Sequence, residues 1–390
     1  MPLNKDIAPM LEEIVAWRHD FHRHPELQYE VHRTAGIVAE KLAEFGCDQV
    51  LSGIGRTGVV GLIHGSAGAG GPVIGLRADM DALPIMEETG CSYASQTAGL
   101  MHACGHDGHT AMLLGAAKYL AATRRFAGSV AVIFQPAEEG GGGANEMVKD
   151  GLLDRFGITQ VYGMHNMPGL AAGSFGMRTG PIMAAADRFR IEIDGRGGHA
   201  ARPHDCIDPI LVGAQIVSAA HSIVARNVDP LNSAVLSFGA FNAGFTDNVI
   251  PNVALLKGTV RTLNGAVQEL MERRLGEVVD LTARTFGATA RLHYLRDYPV
   301  TVNADANVDI AFAAAAAVAG TQNVDRDVAP MMGSEDFAFM LQKRPGAYIF
   351  LGQGKTAGLH HPKYDFNDDV IPAGVSYWIE LVSLANAGGI

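Results

Sequence analysis

The order of elements between residues 187 and 299 constrains this chain more than any other feature. DRFRIEIDG reads as a strand. DPILVGAQIVSAAHSIVARN (208–227) reads as a helix, with Asp208 as N-cap and Pro209 in the first turn. SAVLSFGAFNAG and VALLKGTVRTL are two strands, AVQELMERRLGEVVDLTARTFG is a helix closed by Gly287, and ATARLHYLRDYP is a last strand. The pattern is β-α-β-β-α-β, the ferredoxin-like α+β order. A complete unit of this kind in mid-chain, with more helix and strand beyond it, predicts an inserted domain over 183–299. A host domain is then built from 1–182 and 300–390. At 390 residues the chain exceeds one ordinary core, which agrees with two domains.

The host reads as α/β. Residues 6–20 and 33–46 have helical spacing, with Gly46 as a stop. VVGLIHG (59–65) and VIGLRAD (73–79) flank SAGAGG and predict a hairpin. Thr110 to Ala122 reads as a helix, SVAVIFQP (129–136) as a buried strand, and VYGMHN (161–166) as a strand with His165 at its end. Such alternation predicts a mixed or parallel sheet covered by helices. Ligands of these sheets gather beyond the carboxyl ends of strands, and Cys104, Glu138, Glu139 and His165 all fall near such ends.

Lys plus Arg number 30 against 41 Asp plus Glu, and no basic tract occurs, so nucleic acid is not an expected partner. None of Cys47, Cys91, Cys104 and Cys206 sits in a C-x-x-C pair, which points to a reduced, cytoplasmic setting rather than a disulfide framework. The first residues carry no continuous apolar segment, so no signal peptide is expected. The longest apolar run, near Ile310 to Gly320, is far shorter than the ~20 residues that span a bilayer, so no membrane is expected.

Chemistry concentrates in two stretches, HACGHDGH (102–109) and QPAEEGGGG (135–143). Cys104, His106, Glu138 and Glu139, with His165 and His360, offer sulfur, nitrogen and oxygen donors suited to divalent transition metals. On extended backbone Cys104 and His106 share a face, and adjacent Glu138 and Glu139 point opposite ways. One carboxylate can then bind metal while its neighbour faces an activated water. A buried free cysteine is usually packing, but Cys104 is flanked by Gly105, His106 and Asp107. Glu138 and Glu139 could instead be an acidic first helical turn, yet Gly140 to Gly143 are poor helix material. A phosphate loop is excluded because no Lys-Ser or Lys-Thr follows the glycines. His360 and His361 stand together in GLHHPKYDFND (358–368), and spacing alone does not choose between them.

With these residues in view, the chain resembles the dinuclear-metal aminoacylase and carboxypeptidase family, most closely its hippurate hydrolase and auxin-conjugate amidohydrolase branch. Ordered motifs carry the resemblance: FHRHPELQYE (21–30), RADMDALP (77–84), MHACGHDGHT (101–110), FQPAEEG (134–140), GMHNMPG (163–169), GRGGHAARPH (195–204), DNVIPN (247–252), GTVRT (258–262), GSEDF (333–337) and LHHPKYDFND (359–368). It implies a catalytic domain with an inserted lid and dimerisation domain, and two divalent ions per subunit. Zinc comes first among them, with manganese, cobalt or nickel compatible. Cys104 would bridge the ions where the wider family uses Asp. Glu139 and His360 would complete one site, and His106 and His165 the other. His360 is chosen because the branch reads Leu-His, a variable residue, then Pro, and His361 occupies the variable place. Arg77 stands where the wider family has a His, two residues before Asp79. His106 supplies that imidazole, and Arg77, Asp79 and Asp107 would orient ligands. The alternative is that Asp79 and Asp81 only cap a turn.

The resemblance also implies metal-dependent hydrolysis of a small N-acyl-L-amino acid, with Glu138 as general base and His199 donating to the oxyanion. In related enzymes that histidine often acts across a dimer interface, so a homodimer or higher homo-oligomer through the lid is expected. Asn248 and Arg261 would anchor substrate, an Arg fork suiting its carboxylate. The alternative for Arg261 is a strand-face salt bridge. The alternative activity is a carboxypeptidase or dipeptidase of the same family. A binding-only module has no need of Glu138. A thiol nucleophile at Cys104 needs a free sulfur and a base, and no G-x-S-x-G elbow surrounds Ser334.

Overall fold

The computed structural model describes residues 5–67 and 71–387. Two units emerge: one holds the described residues up to Ile182 with Val302–Ala329 and those from Asp336 on, the other holds Met183–Thr301 with Pro330–Glu335.

An eight-stranded sheet forms the middle of the first unit. Its strands include β1 (Gln49–Ile54), β2 (Gly58–His64), β3 (Val73–Asp79), β4 (Ser129–Gln135) and β5 (Ile158–Pro168). The order is β1-β2-β4-β3-β5, then Gly346–Gly354, Phe175–Gly176 and Val324–Asp325. β4 runs parallel to β3, β3 to β5, and β5 to Gly346–Gly354. β3 and β4 are buried almost throughout, which accounts for their unbroken apolar character: a parallel strand covered on both faces has no polar side to present.

The expected hairpin between VVGLIHG and VIGLRAD does not form. β4 lies between them, antiparallel to β2 and parallel to β3. A strand as apolar as SVAVIFQ needs a neighbour on each side, and the connection 65–72 is longer than a tight hairpin loop. The hairpin that does form joins β1 to β2.

Helices α1 (Leu11–Arg23), α2 (His32–Glu44) and α3 (His106–Thr123), with Ile371–Ala387, pack their apolar sides into a common core containing Ile14, Phe21, Val38, Leu114, Trp378 and Val382. α3 begins at His106, earlier than the expected Thr110. His106 is therefore in a first helical turn, and the extended geometry expected for Cys104 and His106 is replaced by a turn through Gly105.

In the second unit the strands Ala234–Ala243, Val253–Thr262, Ala185–Asp194 and Thr289–Tyr298 lie in that spatial order, all pairings antiparallel. Helices Pro209–Arg226 and Gly265–Thr285 pack with the sheet, bringing Ile216, Ile223, Met271 and Leu275 together with Phe189 and Ile191. Asp208 caps the first helix by accepting the Ile210 N–H. Among the described residues one helix, Pro209–Arg226, is long and apolar enough by length and composition to cross a membrane. Its Val212, Ile216, Ala220 and Ile223 are buried in the unit's core.

Candidate metal centre

The parallel strands end where the chemistry begins. Asp79 closes β3, Gln135 closes β4, and His165 lies late in β5. Cys104 sits in the loop before α3. The ligand atoms of Cys104, His106 and His165 all lie within 4.8 Å of one another, as do those of Cys104, Glu139 and His360, and those of His106, Glu138 and Glu139. Cys104 thus belongs to two separate triads. Its Sγ is 3.4 Å from His165 Nε2, and His360 Nε2 is 3.2 Å from Glu139 Oε1. His361 is exposed, and its Nδ1 accepts the Lys363 N–H.

Both buried imidazoles are turned by their Nδ1 atoms. His106 Nδ1 is 2.7 Å from the Asp81 carbonyl oxygen, and His165 Nδ1 is 2.7 Å from that of Asn166. A carbonyl accepts only from N–H, so in the neutral ring each Nε2 carries a lone pair facing the cluster. His106 Nε2 is buried and has no hydrogen-bond partner. Buried polar atoms in folded proteins are nearly always partnered. This mixed S, N and O donor set fits a divalent cation, which would supply the missing partner.

The loops are shaped around these groups. Gly105 has φ of 92°, and a Cβ there would lie 2.3 Å from Asn166 Oδ1 and 2.6 Å from the Tyr364 hydroxyl. Ala137 and His360 are non-glycine residues with φ of 54° and 62°, uncommon left-handed conformations found where function holds a backbone in place. Ala137 directly precedes Glu138. The Glu pair lies in a turn rather than on the extended backbone expected from sequence. Asp81 fixes that turn: its two carboxylate oxygens accept the N–H groups of Glu138 at 2.9 Å and Glu139 at 3.0 Å.

Around the ligands lies a buried polar array. Arg77 donates to Asp79 Oδ2 at 2.6 Å, to Gln135 Oε1 at 2.8 Å and to Asp336 Oδ1 at 3.1 Å. Asp79 Oδ1 meets His109 Nδ1 at 2.6 Å, and His109 Nε2 meets Asn166 Oδ1 at 2.7 Å. Asp107 turns the other way, its Oδ2 lying 2.8 Å from His22 Nδ1 and 3.0 Å from Arg18 Nε. Sequence reasoning missed Arg18, His22, Asn166 and Asp336, and treated Asp81 only as a turn cap. The two-residue spacing of Asp79 and Asp81 was the signal available for the latter.

The electrostatics suit a cation. Burial pushes the His165 imidazole well below its usual value, helped by His109 and His106, so it stays neutral and able to ligate. For His106 burial opposes charge, but Asp79 and Cys104 overcome it and hold the ring well above its usual value. The negative field that draws a proton to His106 would equally draw a metal ion. His360 is pushed up to about 10 by hydrogen bonding with Cys104 and Glu139. Burial raises Glu139, but the hydrogen bond with His360 and the charge of His106 outweigh it and leave the carboxyl below its usual range.

In the second unit His199 is exposed and pairs with Val249 on a short antiparallel ladder, while the Asn248 carbonyl accepts the Ala200 N–H at 3.1 Å. His199 and Asn248 are thus neighbours. Arg261 is half-buried and donates to the Val260 carbonyl at 3.1 Å and to the Thr259 hydroxyl.

Residues 75–384 match peptidase family M20/M25/M40. The chain belongs to this family. Hippurate hydrolase of Campylobacter jejuni is 42% identical, over 98% of this chain and 98% of that protein. N-acetyl-L-cysteine deacetylase of Bacillus subtilis is 41% identical, over 95% of this chain and 87% of its own. Among solved structures, Bacillus subtilis YXEP, described as a dinuclear metal binding peptidase of the M20 family, superposes with a TM-score of 0.85 at 35% identity, over 97% of this chain and 99% of its own. Within the M20 family the chain is a hydrolase.

Proposed function

We propose that this M20 protein is a metal-dependent amidohydrolase that cleaves N-acyl-L-amino acids to an acid and a free amino acid. The observation that carries the reading is Cys104 Sγ, shared by the Cys104–His106–His165 and Cys104–Glu139–His360 groups. Two divalent ions would be held there by Cys104, His106, Glu139, His165 and His360, with zinc as the preferred metal. When bound, such ions polarise a carbonyl and lower the pKa of water toward ~7.

The chain's own residues do the rest. Glu138, buried beside Glu139 and fixed through its backbone by Asp81, takes a proton from the attacking water and passes it to the leaving nitrogen. His199 donates to the carbonyl oxygen as it gains negative charge. Arg261 grips the substrate carboxylate with its fork, and Asn248 anchors the substrate alongside. Arg77, Asp79 and Asp107 keep the ligand-bearing segments in place. Residues 183–299 form the lid and dimerisation domain, and the enzyme works in the cytoplasm as a homodimer or higher homo-oligomer.

Comparing an N-acylated amino acid with the matched free dipeptide tests the substrate class. N-benzoylglycine and N-acetyl amino acids are expected to turn over faster than dipeptides. Faster cleavage of the free dipeptides would assign a peptidase instead.

A further inference from the structure

Arg18 has no place in the reaction described above, yet it is wholly buried and faces three carboxylates. Its Nε lies 3.0 Å from Asp107 Oδ2 and 3.6 Å from Asp368 Oδ1, and its Nη2 donates to Asp365 Oδ1 at 2.7 Å. Tyr93 and Phe366 lie against the guanidinium at 4.6 and 5.7 Å from their ring centres. Asp107 is the residue after His106. Asp365 and Asp368 follow His360 in the same segment. One side chain on α1 therefore joins the two stretches that supply candidate ligands to the two triads.

Other contacts tie the same two stretches together. The His360 N–H donates to the Ala103 carbonyl at 2.7 Å, next to Cys104. Phe366 packs so closely on Gly108 that a Cβ there would lie 2.4 Å from its ring. These contacts fix where the backbones touch. Arg18 adds orientation on the His360 side, where its Nη2 hydrogen-bonds Asp365, while its Nε faces Asp107 and Asp368 through charge without a hydrogen bond.

We propose that Arg18 is a positioning residue that sets the register between the Cys104–His106 loop and the His360 segment, and so governs how tightly the Glu139–His360 side of the centre holds its ion. This rests on the two-ion reading above. Orienting groups behind metal ligands typically change metal affinity by ~10- to 100-fold when removed. Lysine at this position keeps the charge and loses the fork, so it restores the function only in part.

The test uses Arg18→Met, Arg18→Lys and Asp365→Asn. Asp365→Asn removes the charge from the outer arm and alters the Tyr93 hydroxyl contact at Asp365 Oδ2, but leaves the Arg18–Asp107 pair intact, and serves if Arg18→Met fails to fold. Zn2+ affinities are measured by competition with a chromogenic chelator, and the cobalt-substituted proteins report the Cys104 thiolate through its charge-transfer band. In each variant one of two ions is expected to weaken by ~10-fold or more, with kcat recovering at saturating metal and the cobalt band shifted. Arg18→Lys should fall between Arg18→Met and wild type. If all proteins hold two ions with wild-type affinity, the inference fails even if melting temperatures drop, and equal weakening of both ions also overturns it. A wild-type chain that takes up fewer than two ions overturns the two-ion reading, and the inference falls with it.

Discussion

Replacing Gly105 with alanine should damage both the stability of the first unit and its hold on metal. Two costs add. The residue has φ of 92°, where an L side chain costs about 1–2 kcal/mol. The new Cβ would lie 2.3 Å from Asn166 Oδ1 and 2.6 Å from the Tyr364 hydroxyl, and overpacking of this kind costs a further ~1–3 kcal/mol. The total is ~2–5 kcal/mol. Gly90→Ala separates the two: its φ is 70°, but nothing lies within 4 Å of the added carbon, so only the backbone cost of ~1–2 kcal/mol applies. Urea unfolding of both variants gives the difference, which should be ~1–3 kcal/mol. The crowded variant also pushes on Asn166, whose Oδ1 lies 2.7 Å from His109 and whose Nδ2 donates to Gln353 and Tyr364 at 2.7 Å. Metal affinity should therefore fall in Gly105→Ala and hold in Gly90→Ala. Equal destabilisation by the two substitutions, with metal affinity unchanged in both, would refute the claim that this loop is shaped by crowding around the centre.

Other outcomes follow from the same geometry. Glu138→Ala should abolish turnover while both metals stay bound; metal loss measured by elemental analysis would require exchanging the roles of Glu138 and Glu139. His199→Ala should lower kcat by ~10²–10³, the usual loss of one oxyanion donor, and an unchanged kcat would remove it from the mechanism. Mixing the impaired His199→Ala chain with the inactive Glu138→Ala chain should raise activity above that of either alone if the site is shared between subunits that exchange. Although burial lowers the His22 pKa, Asp107 and Glu87 outweigh it and push it up to about 9 from 6.5. A raised imidazole stabilises the fold fully below pH 6.5, and that contribution is lost as pH rises toward 9. The change from 6.5 to about 9 corresponds to ~3 kcal/mol. Unfolding free energies measured across this window should decline in wild type and decline less in His22→Gln; equal slopes would contradict the assignment.

The sequence makes the second unit legible because its elements are long and strongly periodic, with caps such as Asp208 that act within a few residues. The sheet order of the first unit is less so: VVGLIHG and VIGLRAD look like hairpin partners, and only the distant SVAVIFQ, which must bury both faces, separates them. The metal-ligand candidates stand out as motif residues, and the structure gathers Cys104, His106, Glu138, Glu139, His165 and His360. The groups behind them do not stand out. Arg18 and His22 lie on an amphipathic helix where each looks like an ordinary surface charge, and Asp336 is remote in sequence from the Arg77 it meets. The local backbone at His106 and Glu138 escapes a simple extended-chain argument because Gly105 and Ala137 take left-handed conformations imposed by their surroundings.

The most direct test of the central claim is glycine release from N-benzoylglycine by purified, metal-replete protein, with a chelator-treated sample and a re-metallated one alongside. The account predicts release that stops on chelation and returns with added Zn2+ or Mn2+. Release that continues undiminished in protein shown by elemental analysis to be metal-free would contradict it.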